Sequence, residues 1–381
     1  MSTATPTTAV TIVIPCLNEE RTLPLVLDKI ATLRQTAFAH VAVEVIVSDN
    51  GSTDASVAIA EQRGARVVHC PIKGYGAALL NGIAHATHDV VIFADADNTY
   101  DFCESAALLA ELDKGFDMVL GSRLRGTIHS GAMPLTHRLL GTPVLNFFIN
   151  LLYARGGKKI SDCNSGFRCF RKQAFNSWNV RSHGMEFASE MLVKALKAGA
   201  ALSEVPIALH PDTRGRPPHL KKWRDGMRHL MQILSEAPFF FNAVGLTVFL
   251  LGWVTMLLGL IGPVRLGPVS VFGLHSMMFS LLATCMGISI WSVGLFLSVR
   301  IGTQSRVYVY LMELSEDRLF WYAVIFALVS AAFFLGILVN WGMHHFVFLA
   351  LEKHTLMFTA FGINGLFLTL DVITAHLIKR T

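Results

Sequence analysis

The chain has 381 residues, of which 52% are hydrophobic, and its mean hydropathy of +0.49 excludes an ordinary soluble enzyme of this length. The formal charge of +5 at pH 7 is too small to indicate a nucleic-acid-binding protein, so no nucleic-acid partner is expected. The six cysteines form no CxxC pair, which argues against a zinc site or a disulfide framework. Most of the apolar excess follows about residue 235, which predicts a soluble domain followed by a membrane region.

The segment 1–9 lacks the basic and apolar regions of a signal peptide. We predict that it is a disordered lead and that the domain after it, residues 10–218, stays in the cytoplasm. Up to about residue 120, strand-like runs alternate with helical ones, which predicts an α/β fold with a Rossmann-like, mostly parallel sheet. The predicted strands are Ala9–Pro15, Val41–Ser48, Ala65–His69, Val90–Ala94 and Met118–Leu120, and the predicted helices are Thr22–Leu33, Ala55–Arg63, Tyr75–Ala86 and Cys103–Asp113.

Polar residues follow the first two predicted strands, at the edge of the sheet where such folds bind ligands. They are Pro15 with Asn18 and Glu19 after the first strand, and Asp49, Asn50 and Asp54 after the second. Carboxylate and amide groups there can hydrogen-bond a nucleobase and a ribose. After the third strand, Lys73 offers a charge for a phosphate and Gly74 allows close backbone approach. Taken singly, each of these could be ordinary turn chemistry.

Two carboxylates, Asp95 and Asp97, follow the fourth predicted strand one residue apart. Two negative charges this near to each other, directly after a buried strand, are unfavourable unless a positive group lies between them. A hard divalent cation, Mg²⁺ or Mn²⁺, that also holds a diphosphate would satisfy both. The alternative is a solvated acidic turn.

Two segments outside the membrane region have the pattern of helices that lie in a membrane interface. In residues 219–237, apolar and basic residues fall on opposite sides of a helix. The apolar residues are Trp223, Met227, Leu230, Met231 and Leu234, and the basic ones are Lys221, Lys222, Arg224 and Arg228. Residues 134–154 carry a similar apolar stripe, broken near Gly141 and Pro143. Either segment could instead pack on the soluble core, and that alternative stays open.

The last 144 or so residues contain windows long enough to cross about 30 Å of hydrocarbon. These windows are Phe239–Gly262, His275–Val299, Leu319–Trp341 and Leu356–Ile378. We therefore predict four transmembrane helices in residues 238–381. An even number returns the C-terminus to the side of the N-terminal domain, and the basic residues concentrate on that side. The prediction is a multi-pass integral membrane protein with its catalytic domain and both termini in the cytoplasm.

The series of motifs in the first 170 residues resembles a known enzyme family. The segments IVIPCLNEE, SDNGSTD, KGYGAAL and DAD stand in the order and spacing of the GT-A domain of family 2 inverting glycosyltransferases. Further on, GSR at 121–123, Arg138 and DCNSGFR at 162–168 resemble the polyprenyl-phosphate branch of that family. That branch includes dolichyl-phosphate mannose synthase and the bacterial polyprenyl-phosphate glucosyltransferases. The resemblance covers residues 10 to about 235.

The resemblance implies a role for individual positions of this chain. The residues implied around the nucleotide-sugar are Pro15, Asn18, Glu19, Asp49, Asn50, Asp54, Lys73, Gly74, Asp95, Arg214 and Arg216. Asp97 would be the main metal ligand, with Asp95 beside it, and Arg123, Arg138 and Thr142 would face the acceptor phosphate. Asp97, Arg123, Arg138 and Asp162 form the implied catalytic group. Two departures stand out: Asn98-Thr99 replaces a glutamine that often completes the metal shell, and either Arg214 or Arg216 could serve the diphosphate.

The implied reaction is inverting transfer of a sugar from a nucleotide-sugar, with UDP-glucose and GDP-mannose the leading donors, to a polyprenyl phosphate in the membrane. A related alternative is transfer to a hydroxyl of another membrane lipid, which would need Asp162 or Glu186 as a base. A transporter or flippase with a regulatory domain is disfavoured because the charged clusters lie in the soluble half. The sequence leaves a homo-oligomer open.

Overall fold

The computed structural model describes residues 7–154, 159–214, 222–266, 269–302, 306–343 and 353–380. The chain divides into two compact units, Met1–Leu234 and Ser235–Thr381. The predicted lead therefore lies mostly outside the described residues, and the first strand begins at Ala9.

A seven-stranded sheet forms the centre of the first unit. Its strands are β1 (Ala9–Cys16), β2 (Ala42–Asp49), β3 (Arg66–His69), β4 (Val90–Phe93), β5 (Met118–Ile128), β6 (Arg168–Arg171) and β7 (Leu202–Leu209). The strand order is β3-β2-β1-β4-β6-β5-β7, and β6 alone runs against its neighbours. The inner strand β1 is rich in β-branched residues, as expected for a strand covered on both faces. The prediction of a mostly parallel α/β sheet is confirmed.

Helices lie between these strands and after them along the chain. They are α1 (Leu23–Gln35), α2 (Ser56–Gln62), α3 (Tyr75–His85), α4 (Ser105–Leu112), α5 (Thr142–Leu152), α6 (Lys172–Trp178), α7 (Phe187–Lys197) and α8 (Lys222–Ser235). In α1, the buried residues Leu23, Val26, Leu27 and Ile30 recur at helical spacing and face the core. A short 3₁₀ turn, Phe102–Glu104, precedes α4, so the predicted helix Cys103–Asp113 begins in tighter geometry.

The sequence analysis predicted neither β6 nor β7, and of β5 it predicted only Met118–Leu120. Strand β6 reads RCFR and β7 contains Glu204 and Pro206, so neither shows a simple apolar run. Strand β5 continues eight residues past Leu120 through a polar stretch that includes Arg123 and Arg125. A register shift against β7 between Ser122 and Thr127 accompanies that stretch. Charged residues that serve a site rather than the core interrupt the hydrophobic pattern at the end of a strand. A prediction based on that pattern therefore does not recognise the strand.

The two predicted interface segments are helical where they are described. Residues 134–154 contain a π-helical turn, His137–Gly141, followed by α5, and the change of geometry falls at the predicted break. Large apolar side chains on this segment are open to solvent: Leu139 is 72% exposed and Phe147 60%. Helix α8 exposes Met227 and Met231 but buries Asp225, His229 and Ile233. Its second, buried face was not predicted.

The second unit consists mainly of long apolar helices. They are α9 (Pro238–Ile261), α10 (Leu274–Ile301), α11 (Arg306–Glu313), α12 (Glu316–Met343) and α13 (Lys353–Arg380), with a hairpin of β8 (Val264–Leu266) and β9 (Val269–Val271) between the first two. Among the described residues, three segments are long and apolar enough to cross a membrane: Pro238–Ile261, Leu274–Ile301 and Thr355–Lys379. The predicted span Leu319–Trp341 lies in α12, a continuous helix of 28 residues that is not among these three segments. The structure thus supports three of the four predicted spans, and the fourth stays a prediction.

Close backbone packing joins α9 to α10. A Cβ atom on Gly245 would lie 2.4 Å from the backbone nitrogen of Trp291, and one on Gly287 would lie 2.4 Å from that of Phe249. Small residues that let helix backbones approach are the usual means of helix association in a bilayer. A hydrogen bond from the Ser292 hydroxyl to Asp371 links α10 to α13 and satisfies the one carboxylate within these three segments.

The Arg168 side chain organises the loop that enters β6. It is fully buried, and its guanidinium donates to the carbonyl oxygens of Ser165, Cys163 and Ala188 at 3.1, 2.9 and 2.8 Å. Burial lowers the pKa of Arg168 to about 10, so the group stays protonated at neutral pH. One side chain therefore fixes the 163–165 loop against α7.

We predict that Arg168→Met destabilises the protein by about 3 kcal/mol or more, because three buried carbonyl groups lose their donor while side-chain volume is kept. The measurement is the midpoint of thermal unfolding of the purified protein in detergent. Arg171→Met, on the same strand but partly exposed, is the matched control and should change stability by less than about 0.5 kcal/mol. Equal midpoints for the two variants would contradict this role of Arg168.

Candidate active site

The loops that follow β1 and β2 are joined by a set of short hydrogen bonds. Asn18 adopts a left-handed conformation with φ of 57°, its backbone nitrogen donates to the Ser52 hydroxyl at 2.9 Å, and its side-chain oxygen accepts from the Thr53 nitrogen at 2.7 Å. The Glu20 nitrogen donates to Asp54 at 3.1 Å. A cavity of about 190 Å³ opens here, lined by Asn18, Glu19, Glu20, Arg21, Asp54 and Arg214. Predicted nucleotide residues from two strands therefore meet at one edge of the sheet.

Asp49 and Asn50, where β2 ends, are fixed by hydrogen bonds to the neighbouring loops. Burial acts to raise the pKa of the Asp49 carboxyl, but hydrogen bonds from Ser52, His69 and Gly51 outweigh it and lower that pKa below its ordinary value. The Asn50 side chain donates to the Ile72 carbonyl at 2.7 Å and accepts from the Gly74 nitrogen at 2.8 Å. These bonds shape the loop that contains Lys73, whose side chain is exposed.

Gly74 is required at its position on two grounds. Its φ of +141° is one that other residues rarely adopt, and a Cβ atom there would lie 2.1 Å from the His183 carbonyl oxygen. The close contact lets the 182–184 loop pack on the start of α3, where the Ala77 nitrogen donates to the same carbonyl at 3.0 Å. The glycine predicted for close approach to a ligand thus also serves packing against the chain itself.

Asp95 and Asp97 follow β4 as predicted and have different surroundings. Asp95 accepts from the Tyr75 hydroxyl at 2.8 Å, and Asp97 accepts from the Thr99 nitrogen and hydroxyl at 3.1 and 2.6 Å. Burial, followed by the charge of Asp97, raises the pKa of Asp95 to about 7. The positive charges of Arg214 and Arg123 oppose that rise.

Gly166 forms the wall behind Asp95. A Cβ atom on Gly166 would lie 2.9 Å from Asp95 Oδ2, and the Gly166 nitrogen donates to the Tyr100 hydroxyl at 2.9 Å. The segment that enters β6 therefore passes directly against the carboxylate pair. Tyr75 and Tyr100 were not predicted as site residues, although Tyr75 lies within the KGYG motif.

Arg214 connects the carboxylate pair to the first loop. Its guanidinium lies 3.4 Å from Asp97, 3.3 Å from Glu19 and 2.7 Å from Asp212, and only 13% of its side chain is exposed. Burial acts to lower the pKa of Arg214, but Asp212, Asp97 and Glu19 together raise it. Arg216, the other arginine predicted here, lies outside the described residues.

Arg123 and Asp162 form a second charged group, an ion pair that is largely buried. The Arg123 Nε and Nη2 atoms each lie 2.7 Å from an Asp162 oxygen, and the Arg123 backbone nitrogen donates to the same carboxylate at 2.9 Å. Asp162 is fully buried. Burial acts to lower the pKa of Arg123, yet Tyr100 and Asp162 raise it above its ordinary value. Arg123 is therefore a fixed positive charge with a set orientation.

The remaining predicted residues do not join this cluster. Arg138 is exposed on the π-helical turn, and Thr142 is buried at the start of α5. Within the described ranges, no hydrogen bond or ion pair links either of them, or Lys73, to Asp95 or Asp97. Their roles stay predictions.

Of the two glutamates on and before α7, only one is fully engaged. Glu190 accepts from the backbone nitrogens of Arg181 and Ser182 and pairs with Lys194 at 2.6 Å, so it serves the fold. Glu186 has a buried Oε2 atom that meets no hydrogen-bond partner among the described residues.

The carboxylate pair offers the donors that a hard divalent cation prefers. In the described part of the chain, no group of three or more His, Cys, Asp or Glu side chains could hold a metal ion by itself. However, the side-chain oxygen Oδ1 of Asn98, the residue after Asp97, is buried and has no hydrogen-bond partner among the described residues. Two carboxylates and an amide oxygen fit Mg²⁺ or Mn²⁺ when a ligand supplies the other oxygens.

Comparison with known proteins identifies relatives of this chain. The sequence model described as glycosyl transferase family 2 matches residues 11–178, the range that contains Asp95, Asp97, Arg123 and Asp162. The chain is 36% identical over 290 residues to the low-salt glycan biosynthesis hexosyltransferase Agl6 of Haloferax volcanii, a match that covers 76% of this chain and 68% of that protein. It is 28% identical over 221 residues to the polyprenol monophosphomannose synthase of Mycolicibacterium smegmatis, covering 54% and 79% of the two chains.

Among solved structures, glucosyl-3-phosphoglycerate synthase of Mycobacterium tuberculosis in complex with phosphoglyceric acid superposes with a TM-score of 0.50. The match covers 60% of this chain and 80% of that one, at 22% sequence identity, and it supports the predicted GT-A fold of the first unit. On the extent of the match to Agl6 and the family model together, the chain belongs to glycosyl transferase family 2 and is a glycosyltransferase.

Proposed function

We propose that the protein transfers a hexose from a nucleotide-sugar, UDP-glucose or GDP-mannose, to a polyprenyl phosphate at the cytoplasmic face of a membrane. The observation that carries the proposal is the Arg123 guanidinium, which two hydrogen bonds of 2.7 Å fix to the buried Asp162 carboxylate. A rigid arginine suits a phosphate as ligand, because its planar guanidinium matches phosphate oxygens. Support also comes from two relatives, named as a hexosyltransferase and a polyprenol monophosphomannose synthase.

The donor would bind at the ends of β1, β2 and β4. Asn18, Asp49 and Asn50 lie where a nucleobase and ribose would be held, with Pro15, Glu19 and Asp54 around them and the Lys73–Gly74 loop at the edge. Arg214, drawn toward Asp97 and Glu19, would bind the diphosphate, and Arg216 remains a second candidate. Asp95, Asp97 and Asn98 would hold Mg²⁺ or Mn²⁺, which when bound would offset the charge of the leaving diphosphate.

The acceptor would bind on the opposite side of the sugar. A phosphate monoester has a second pKa of about 6 and is already largely dianionic at neutral pH, so it needs orientation rather than a base. Arg123 would orient it, with Arg138 and Thr142 as further candidate contacts. In-line attack by a phosphate oxygen on the anomeric carbon expels the nucleoside diphosphate and inverts that carbon. Asp162 would act by holding Arg123, since its carboxylate is fully used in that pair.

We assign residues 10–218 to the catalytic domain and place 134–154 and 219–237 in the membrane interface. Residues 238–381 would form the membrane region, with four spans and both termini in the cytoplasm. The exposed Leu139, Phe147, Met227 and Met231 support lipid contact by the two interface helices, because soluble surfaces rarely collect large apolar side chains in this way.

One observation favours a second candidate, transfer to a hydroxyl of another membrane lipid. Such a reaction needs a base within reach of the hydroxyl. Asp162 is committed to Arg123, but Glu186 has the buried Oε2 atom described above. The choice between the two reactions therefore depends on Glu186.

We predict that the purified protein transfers label from one nucleotide-sugar of a UDP- and GDP-sugar panel into the organic phase when polyprenyl phosphate and Mn²⁺ or Mg²⁺ are present. Asp97→Ala should reduce that transfer roughly 100-fold or more, because the metal ion that would offset the charge of the diphosphate loses a ligand. Asp28→Ala is the matched control, since Asp28 pairs with Arg63 on the surface, and it should transfer label like wild type. Transfer by Asp97→Ala at the rate of the control would contradict the proposed site.

We also predict that Glu186→Gln keeps kcat for polyprenyl phosphate within about threefold of wild type, because a dianionic acceptor needs no base. A general base contributes roughly 100-fold or more to the rate. The measurement is kcat with saturating acceptor, alongside the unfolding midpoint to show that the variant is folded. A folded variant that loses about 100-fold in kcat would contradict a transfer to phosphate without a base.

A further inference from the structure

Helix α5 has two faces with different chemistry. Val144, Phe147 and Leu151 are exposed apolar residues on one face. Asn146 and Asn150, one helical turn apart, are on the other face and turn toward the 160–163 segment. This pair of amides opposite the apolar stripe was not predicted to have a role.

Asn146 binds the backbone on both sides of Asp162. Its side-chain nitrogen donates to the Ser161 carbonyl, and its side-chain oxygen accepts from the Cys163 nitrogen at 3.0 Å. Both neighbours of Asp162 are thus held by one amide group, itself only 8% exposed. Asn150 makes an equivalent pair of bonds, each of 2.8 Å, but to the nitrogen and carbonyl of Ile160.

The other side of the same segment is held from the sheet. Glu204 on β7 accepts from the Ser161 and Asp162 nitrogens at 2.9 and 3.2 Å. The backbone around Asp162 therefore lies between a glutamate on β7 and an amide on α5. Because the Asp162 carboxylate binds Arg123 through three hydrogen bonds, any rotation of this backbone would turn the guanidinium.

We propose that Asn146 is a positioning residue for the acceptor phosphate, acting through Asp162 and Arg123. The inference rests on the proposed function, because it assumes that Arg123 orients the acceptor. Its consequence is that the helix whose apolar face is open to lipid is also the helix that sets the direction of the arginine fork. Lipid contact and acceptor alignment would then belong to one rigid element.

Asn146→Ala and Asn150→Ala make a matched pair for testing this role. Each removes two side-chain hydrogen bonds from the same face of α5, yet only the first removes the bonds that flank Asp162. We expect Asn146→Ala to raise the KM for polyprenyl phosphate about 10-fold while the KM of the donor stays within about twofold. Asn150→Ala should leave both within about threefold. Asn146→Asp, nearly the same size, should show the same acceptor defect if the alanine variant does not fold.

A double-mutant cycle with Arg123→Lys separates positioning from general damage to the fold. If Asn146 acts through the fork, Asn146→Ala should change the acceptor KM by less than about twofold once the fork is gone. Equal acceptor KM values in the two asparagine variants, or full additivity with Arg123→Lys, would overturn the proposal. Absence of lipid labelling by wild type would instead count against the proposed function itself, so the two failures are distinguishable.

Discussion

The Arg123–Asp162 ion pair is the constraint on which the rest of the site depends. A charged pair with a fully buried carboxylate is stable only when the geometry is good and the remaining hydrogen-bonding capacity is used. Both conditions are met, since Asp162 accepts three hydrogen bonds from Arg123 and its backbone is held by Glu204 and Asn146. The result is a positive charge whose direction is decided by the fold.

The charges around the carboxylate pair Asp95 and Asp97 are less well compensated than those of the Arg123–Asp162 pair. Asp95 and Asp97 are two carboxylates one residue apart, and burial followed by the charge of Asp97 raises the pKa of Asp95. The positive charges of Arg214 and Arg123 offset part of this negative charge. We infer a site that is short of positive charge at the carboxylates, where a divalent cation fits, and rigidly positive where an anionic acceptor would dock.

The sequence predicted the parallel sheet, the loops at the strand ends and the carboxylate pair, because each depends on residues that are neighbours along the chain. The link between Arg123 and Asp162 is of another kind, since the partners are 39 residues apart. They meet because β6 runs antiparallel beside β5, and β6 was hidden by its own arginines. The roles of Arg168 and Asn146 have the same origin: both bind backbone carbonyls, which leave no trace in a side-chain pattern.

The measurement that tests the account most directly compares two acceptors that share one prenyl chain, the monophosphate and the free alcohol, with wild-type protein and the donor it uses. If the Arg123 fork orients an anionic acceptor, product forms from the monophosphate alone, and Arg123→Lys loses roughly 30-fold or more in kcat/KM because a lysine keeps the charge without the fork. Comparable transfer to the alcohol, or an Arg123→Lys enzyme with unchanged kcat/KM for the monophosphate, would contradict the account.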